Sequence, residues 1–174
     1  MAKYAVKPSG REVFFEPTRF IVSKTDLKGR ITYANDVFLQ VAGFREDELL
    51  GAPHSIVRHP DMPRAAFKLL WDEVTAGREV FAYVKNMTKS GDHYWVFAHV
   101  TPTYDASGAT VGYHSNRRAP RREAVEKIEP IYAALRAEEA RHANARDGMA
   151  AAGALLSKTV AESGMAYEEL VLAL

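Results

Sequence analysis

Three runs rich in β-forming residues, 80–87, 93–103 and 110–116, are separated by two four-residue turn signals, Lys89-Ser90-Gly91-Asp92 and Asp105-Ala106-Ser107-Gly108. Strand-length runs joined this tightly read as antiparallel hairpins, because a parallel return needs a connection of about a dozen residues or more. An earlier pair of β-forming runs, 20–25 and 30–34, flanks the turn residues Asp26 to Gly29 and predicts another hairpin. Between the two groups the pattern turns helical. Asn35 is placed to cap a short helix carrying Val37, Phe38, Val41 and Ala42, and Gly43 stops it. A further helical turn over 45–50 is followed by Gly51, Pro53, Pro60 and Pro63, which break regularity. From Pro63 to about Ala76 the apolar stripe Ala66, Phe67, Leu70, Trp71 and Val74 predicts the longest helix of this region, ended by Gly77. The order predicts an α+β fold: a five-stranded antiparallel sheet with short helices on one face.

After Pro120 the character changes. Val125, Ile128, Ile131, Tyr132 and Leu135 step at helical spacing in a charged background, so an amphipathic exit helix is expected, with Pro130 either kinking it or starting a new one. Gly148 and Gly164 are expected to interrupt a further Ala-rich helical region. The expected organisation is an N-terminal cap segment over 1–19, a sheet-bearing domain over 20–118, and a C-terminal helical extension over 119–174 for signalling or dimerisation.

Several function classes fall away. The 174 residues suffice for one domain plus extra helix. With 23 basic and 22 acidic residues, net +1, the charge balance offers nothing to recruit nucleic acid. The chain has no cysteine, which removes disulfides, thiolate metal sites, thiol nucleophiles and any flavin-cysteinyl adduct. Residues 1–19 lack the apolar core of a signal peptide, and no run approaches the roughly 20 apolar residues of a membrane span. Even the apolar C-terminal segment is broken by Lys158, Glu162, Glu168 and Glu169, so a cytoplasmic protein is expected. No G-x-S-x-G, P-loop, H-E-x-x-H or G-x-G-x-x-G motif is present. Asp92-His93 stands at a strand entry without a nucleophile, and reads as a turn. The six histidines form no zinc-like set, and no catalytic activity is expected.

Thr25-Asp26, the turn at Gly29, Ile31-Thr32-Tyr33-Ala34-Asn35, and Gly43-Phe44 followed by Glu48-Leu49 resemble the first half of a PAS domain. The string Gly51-Ala52-Pro53-His54-Ser55-Ile56-Val57-Arg58-His59-Pro60-Asp61-Met62-Pro63, with Phe67 and Trp71 after it, closely resembles PAS domains of the bacterial aerotaxis-receptor type. Val84-Lys85-Asn86 and 89–96 continue the likeness, which covers roughly 25–135. The resemblance implies a flavin-binding sensor in which FAD reports redox state or oxygen to a chemotaxis-type transducer, with a homodimer expected. It also implies roles in flavin binding or signalling for Asn35, Arg58, His59 and Asp61, and a place beside the cofactor for Phe67 and Trp71. One departure is visible: where that type carries Trp and two small residues, this chain reads Val80-Phe81-Ala82-Tyr83-Val84. Phe81 or Tyr83 can replace the aromatic only by facing inward.

Residue chemistry gives each candidate a functional and a plain reading. Arg58 suits a pyrophosphate or carboxylate through bidentate bonds, or a surface pair with Asp61. His59 suits a hydrogen bond to a cofactor, or caps its own loop. Trp71 and Trp95 suit the face of a flat ring, although Trp95 fits packing against the exit helix equally well. Asn86 suits a flavin edge or solvent. His54 and His59 open a haem alternative, since neutral imidazole is an axial ligand. A cofactor-free interaction module, its interior filled by side chains, is the other alternative.

Overall fold

The computed structural model describes residues 6–174; of the expected N-terminal cap, residues 1–5 lie outside it. Five strands form one antiparallel sheet: β1 (Ile21–Thr25), β2 (Ile31–Ala34), β3 (Val80–Met87), β4 (His93–Tyr104) and β5 (Thr110–Arg118). Their spatial order is β2-β1-β5-β4-β3, so the two hairpin groups meet where β5 pairs with β1. Alternation along each strand then sorts the residues into two faces. Val84, Asn86, Ala98, Val100, Tyr113, Ser115 and Arg117 share one face. Phe81, Tyr83, Lys85, Trp95 and Phe97 share the other, where Tyr83 stands opposite Phe97 and Lys85 opposite Trp95.

The first face is covered by α1 (Asp36–Ala42), α2 (Glu46–Leu49), a single 3₁₀ turn (His54–Val57) and α3 (Arg64–Thr75). The opposite face is covered by α4 (Arg122–Ala140), whose buried Val125, Ile128, Tyr132 and Leu135 realise the expected apolar stripe. Tyr132 stacks on Trp95 with ring centroids 6.4 Å apart and donates its hydroxyl proton to the Tyr83 carbonyl at 2.7 Å. Trp95 thus packs against the exit helix. α4 continues through Pro130 and does not restart there; Pro130 lies on the exposed side, where the carbonyl it leaves unbonded can meet water.

Two further helices follow, α5 (Ala145–Ser163) and α6 (Tyr167–Ala173). The expectation that Gly148 interrupts this region is corrected: α5 runs straight through it. A Cβ at Gly148 would stand 2.5 Å from the Glu139 carbonyl oxygen, so glycine there is what lets α5 close against α4. Gly164, in the left-handed conformation, does end α5. At the other end of the chain, His93 accepts from the backbone N–H of Val13 at 2.7 Å and donates to the Arg11 carbonyl at 2.9 Å, so that the N-terminal segment lies parallel to the start of β4 at Glu12. Asp92 binds Arg11 and Ser9, and that pairing holds its carboxyl down at about 2.

Candidate functional site

A cavity of about 490 Å³ lies between the first sheet face and α3. This is within the range of small-molecule sites, about 300–1,000 Å³. One wall is aromatic. Trp71 and Phe67 reach in from α3, one helical turn apart, because residues i and i+4 share a helix face. Tyr113 of β5 meets Trp71 edge to face at 5.4 Å. Behind Trp71 stands Gly29, whose positive φ makes the β1–β2 turn and whose missing Cβ leaves room for the indole, 3.0 Å from where that carbon would be.

The departure at Val80-Phe81-Ala82-Tyr83-Val84 resolves by strand parity. Phe81 and Tyr83 face away from the cavity, Phe81 stacked on His99 at 4.3 Å and Tyr83 against Phe97. Neither replaces the missing tryptophan. Val80 is instead buried with Val74, Val100 and Tyr113, and the aromatic wall comes from Trp71 and Tyr113.

Of the residues singled out from sequence, Arg58, Phe67, Trp71 and Asn86 line this cavity. Arg58 and Asn86 are brought together by a single antiparallel bridge between the 3₁₀ segment and β3. The Arg58 guanidinium lies 4.2 Å over the Phe67 ring and donates to the Met62 carbonyl at 3.2 Å. Asn35, His59 and Asp61 are not in the wall. The Asn35 side chain is occupied by backbone: its oxygen accepts from Val22 and Phe38, at 2.9 and 3.1 Å, and its amide donates to the Phe20 carbonyl at 2.8 Å. It joins β1 to the start of α1. His59 is buried and its Nδ1 accepts from the backbone N–H of Asp61 at 3.0 Å, capping its own loop. Burial pushes its imidazole down to about 4, with Lys85, His93 and Arg136 acting in the same sense against Asp61. Asp61 faces α4, where it pairs with Arg136 at 3.0 Å and with Lys85 at 3.2 Å. Burial works to raise its pKa, but Lys85 and Arg136 together outweigh that and hold it below the usual carboxylate range.

The deep end of the cavity is polar and was missed from sequence. Arg117 of β5 is 2% exposed, its guanidinium 4.4 Å over the Phe38 ring. Its Nη2 donates to the Ser23 hydroxyl at 2.5 Å, while Nε and Nη1 have no hydrogen-bond partner among the described residues. Thr25 Oγ1, also in the wall, is likewise unpartnered. Ser23 Oγ stands 3.2 Å from Nε2 of His54, whose ring burial and the Arg117 charge push down to about 3, so it is neutral. The signal that could have found Arg117 was present: Tyr113, Ser115 and Arg117 alternate along one strand, but the strand was expected to end at 116.

Charge in the wall is one-sided. Lys28, Arg58, Arg64, Lys68 and Arg117 line the cavity, and no Asp or Glu does so among the described residues. An occupant with an aromatic ring, acceptor groups at its buried end and negative charge toward the mouth matches every part of this wall.

Comparison with known proteins agrees with the fold. Residues 31–116 match the family described as the PAS fold. The chain is 46% identical over 117 residues to the aerotaxis receptor of Escherichia coli (strain K12), an alignment covering 67% of this chain and 23% of that receptor. The chain therefore spans about a quarter of the length of that relative. Among solved structures, the blue-light photoreceptor Aureochrome1 LOV in its light state superposes with a TM-score of 0.55 at 21% identity, covering 62% of this chain and 84% of that one. A light-oxygen-voltage domain studied with a flavin analogue superposes with a TM-score of 0.56 at 20% identity, over 71% and 87% of the two chains.

Proposed function

This chain belongs to the PAS family, and from that premise we propose that its cavity holds a flavin, FAD, and that the protein is a sensor reporting redox state or oxygen rather than a catalyst. The observation that carries the reading is the composition of the wall: an aromatic side from Trp71, Phe67 and Tyr113, donors on Arg117 at the buried end that are unpartnered among the described residues, and basic residues with no carboxylate among those residues. A flavin supplies a flat ring, an acceptor edge and a phosphorylated tail. Arg58, Lys28, Arg64 and Lys68 are the residues we assign to the diphosphate, with Asn86 and Arg117 on the ring edge. The kinship with an aerotaxis receptor and the fold shared with a domain studied with a flavin analogue support the same choice. Cysteinyl adduct chemistry is unavailable to a chain without cysteine.

The signal leaves through α3. Its Phe67 and Trp71 touch the cavity, and its first turn is bound to α4. Residues 20–118 are then the sensory unit, 1–19 its cap, and 119–174 the segment that meets a second copy of the chain or a chemotaxis-type transducer in the cytoplasm. No helix among the described residues is long and apolar enough to cross a membrane. The test is an absorption spectrum of the protein purified and then reconstituted with FAD. A flavin spectrum with FAD released on denaturation supports the reading; a protein that stays colourless overturns it in favour of a cofactor-free interaction module.

A haem reading keeps one specific observation: His54, a neutral imidazole, stands in the wall. His59 does not. Because Nε2 of His54 already meets Ser23, haem ligation requires that contact to break. A Soret band in the same spectrum decides for haem.

A further inference from the structure

We propose that Arg117 is the positioning residue that sets the reduction potential of the bound flavin, as the counter-charge for the negative charge a flavin ring gains on reduction; this rests on the flavin reading above. A buried guanidinium without a carboxylate is expensive even after the protein relaxes around it. Arg117 is in no ion pair among the described residues, although it is almost fully enclosed. Its compensation is partial: one N–H goes to Ser23, and the Phe38 ring offers its face. Nε and Nη1 are left without acceptors in a residue that lines the cavity. A group so placed favours whichever state of the occupant carries more negative charge, because Coulomb attraction is strongest where water is excluded.

The neighbours leave Arg117 as the cation of the deep end. Packed around it are Ser23 from β1, Phe38 from α1, His54 from the 3₁₀ turn and Tyr94 from β4. His54 is neutral near pH 7, and burial raises the Tyr94 phenol above its ordinary value, so neither contributes a charge there. Burial also lowers Arg117, to about 10, which leaves it charged at neutral pH. The other cavity cations, Lys28, Arg58, Arg64 and Lys68, belong to the turn, loop and α3 side of the wall.

With a flavin bound, two electrons from an added low-potential reductant and one proton from solvent would leave the ring one negative charge, which Arg117 would offset. Without that cation the reduced ring would take a second proton. Two consequences are measurable in the FAD-reconstituted protein. In the unaltered chain, the midpoint potential should fall by about 30 mV per pH unit just below neutrality, the slope for one proton per two electrons; the two-proton slope is about 59 mV. Arg117→Met, uncharged and comparable in reach, should weaken binding of reduced FAD relative to oxidised FAD at least tenfold, lowering the potential by about 30 mV, while Arg117→Lys recovers most of it.

The outcomes separate. If the unaltered chain takes up no flavin, the functional reading falls and this inference with it. If it takes up FAD, but the slope follows two protons or Arg117→Met leaves the potential unchanged, only the role of Arg117 is overturned. Should Arg117→Met fail to fold, the slope of the unaltered protein still decides.

Discussion

The carboxylate of Glu139, in the last turn of α4, accepts a hydrogen bond from the backbone N–H of Ala65 at 2.9 Å. It thereby serves the first turn of α3, whose N-cap position is Pro63 and makes no side-chain cap of its own. A residue of the exit helix thus completes the helix that carries Phe67 and Trp71, and the cavity wall and the C-terminal segment share a hydrogen bond.

Glu139→Ala should remove that cap at about 1 kcal/mol, lowering the melting temperature by about 2–4 °C for a chain of this size. The more specific readout is amide exchange: protection should be lost at 65–68 before it is lost in the sheet. Unchanged exchange there would show that the contact does not couple α4 to α3.

Trp71→Ala and Asp61→Asn should separate cavity binding from helix docking. Trp71 is in the wall, and its loss should weaken FAD affinity at least about tenfold, or about 1.4 kcal/mol. Asp61 faces Lys85 and Arg136 instead, so Asp61→Asn should leave affinity within about twofold, a change under about 0.5 kcal/mol. It should loosen α4, seen as faster exchange near Arg136. Equal effects on affinity, measured by fluorescence titration, would contradict this division.

Asn35→Ala should act on folding. It deletes a side chain that bonds Val22, Phe38 and Phe20, and a loss of about 2 kcal/mol is expected, lowering the melting temperature by about 4–8 °C. FAD affinity of the folded fraction should be unchanged when titrated well below the melting transition.

Stability should fall on acidification, starting below about pH 6.5. The ordinary imidazole pKa is 6.5, whereas burial holds His59 at about 4 and His54 at about 3. Between those values the unfolded chain binds protons that the native chain refuses, so each site removes up to about 1.4 kcal/mol per pH unit. Above pH 6.5 neither state is protonated at these sites and the slope vanishes. His93 and His114, also lowered chiefly by burial, add in the same direction. Asp92 does not contribute here, since its window lies between 3.8 and about 2. Urea midpoints at pH 7.5, 6.5, 5.5 and 4.5 check this, and His59→Asn, whose carbonyl can replace Nδ1 as acceptor, should flatten part of the slope.

Gly148→Val should destabilise the packing of α5 on α4, because its Cβ meets the Glu139 carbonyl oxygen. About 1–3 kcal/mol is expected for overfilling of this kind. Faster exchange across α5, with the sheet unaffected, is the outcome that checks it.

Much of this was readable along the chain because it is decided by near neighbours. The turns at Gly91 and Gly108 set the hairpins, the Asn35 cap and the Gly43 stop delimit α1, and the stripe through Phe67 and Trp71 was visible from its 3.6-residue spacing. Which residues meet across the fold was decided by the tertiary structure. His59 and Asp61 are within three residues of Arg58, yet Asp61 turns to α4 and His59 caps its own loop against the His93 ring, while Arg58 turns to the cavity. Tyr113 and Arg117 became cavity residues only when β5 paired between β1 and β4, since a shift of one residue in register sends every side chain of a strand to the other face. The sequence by itself determined the elements and their order, through local hydrogen bonds and periodicity. Only the tertiary structure decided that Arg117 is enclosed without a counter-ion among the described residues and that Glu139 caps α3, because burial and partner choice belong to contacts between residues dozens of positions apart.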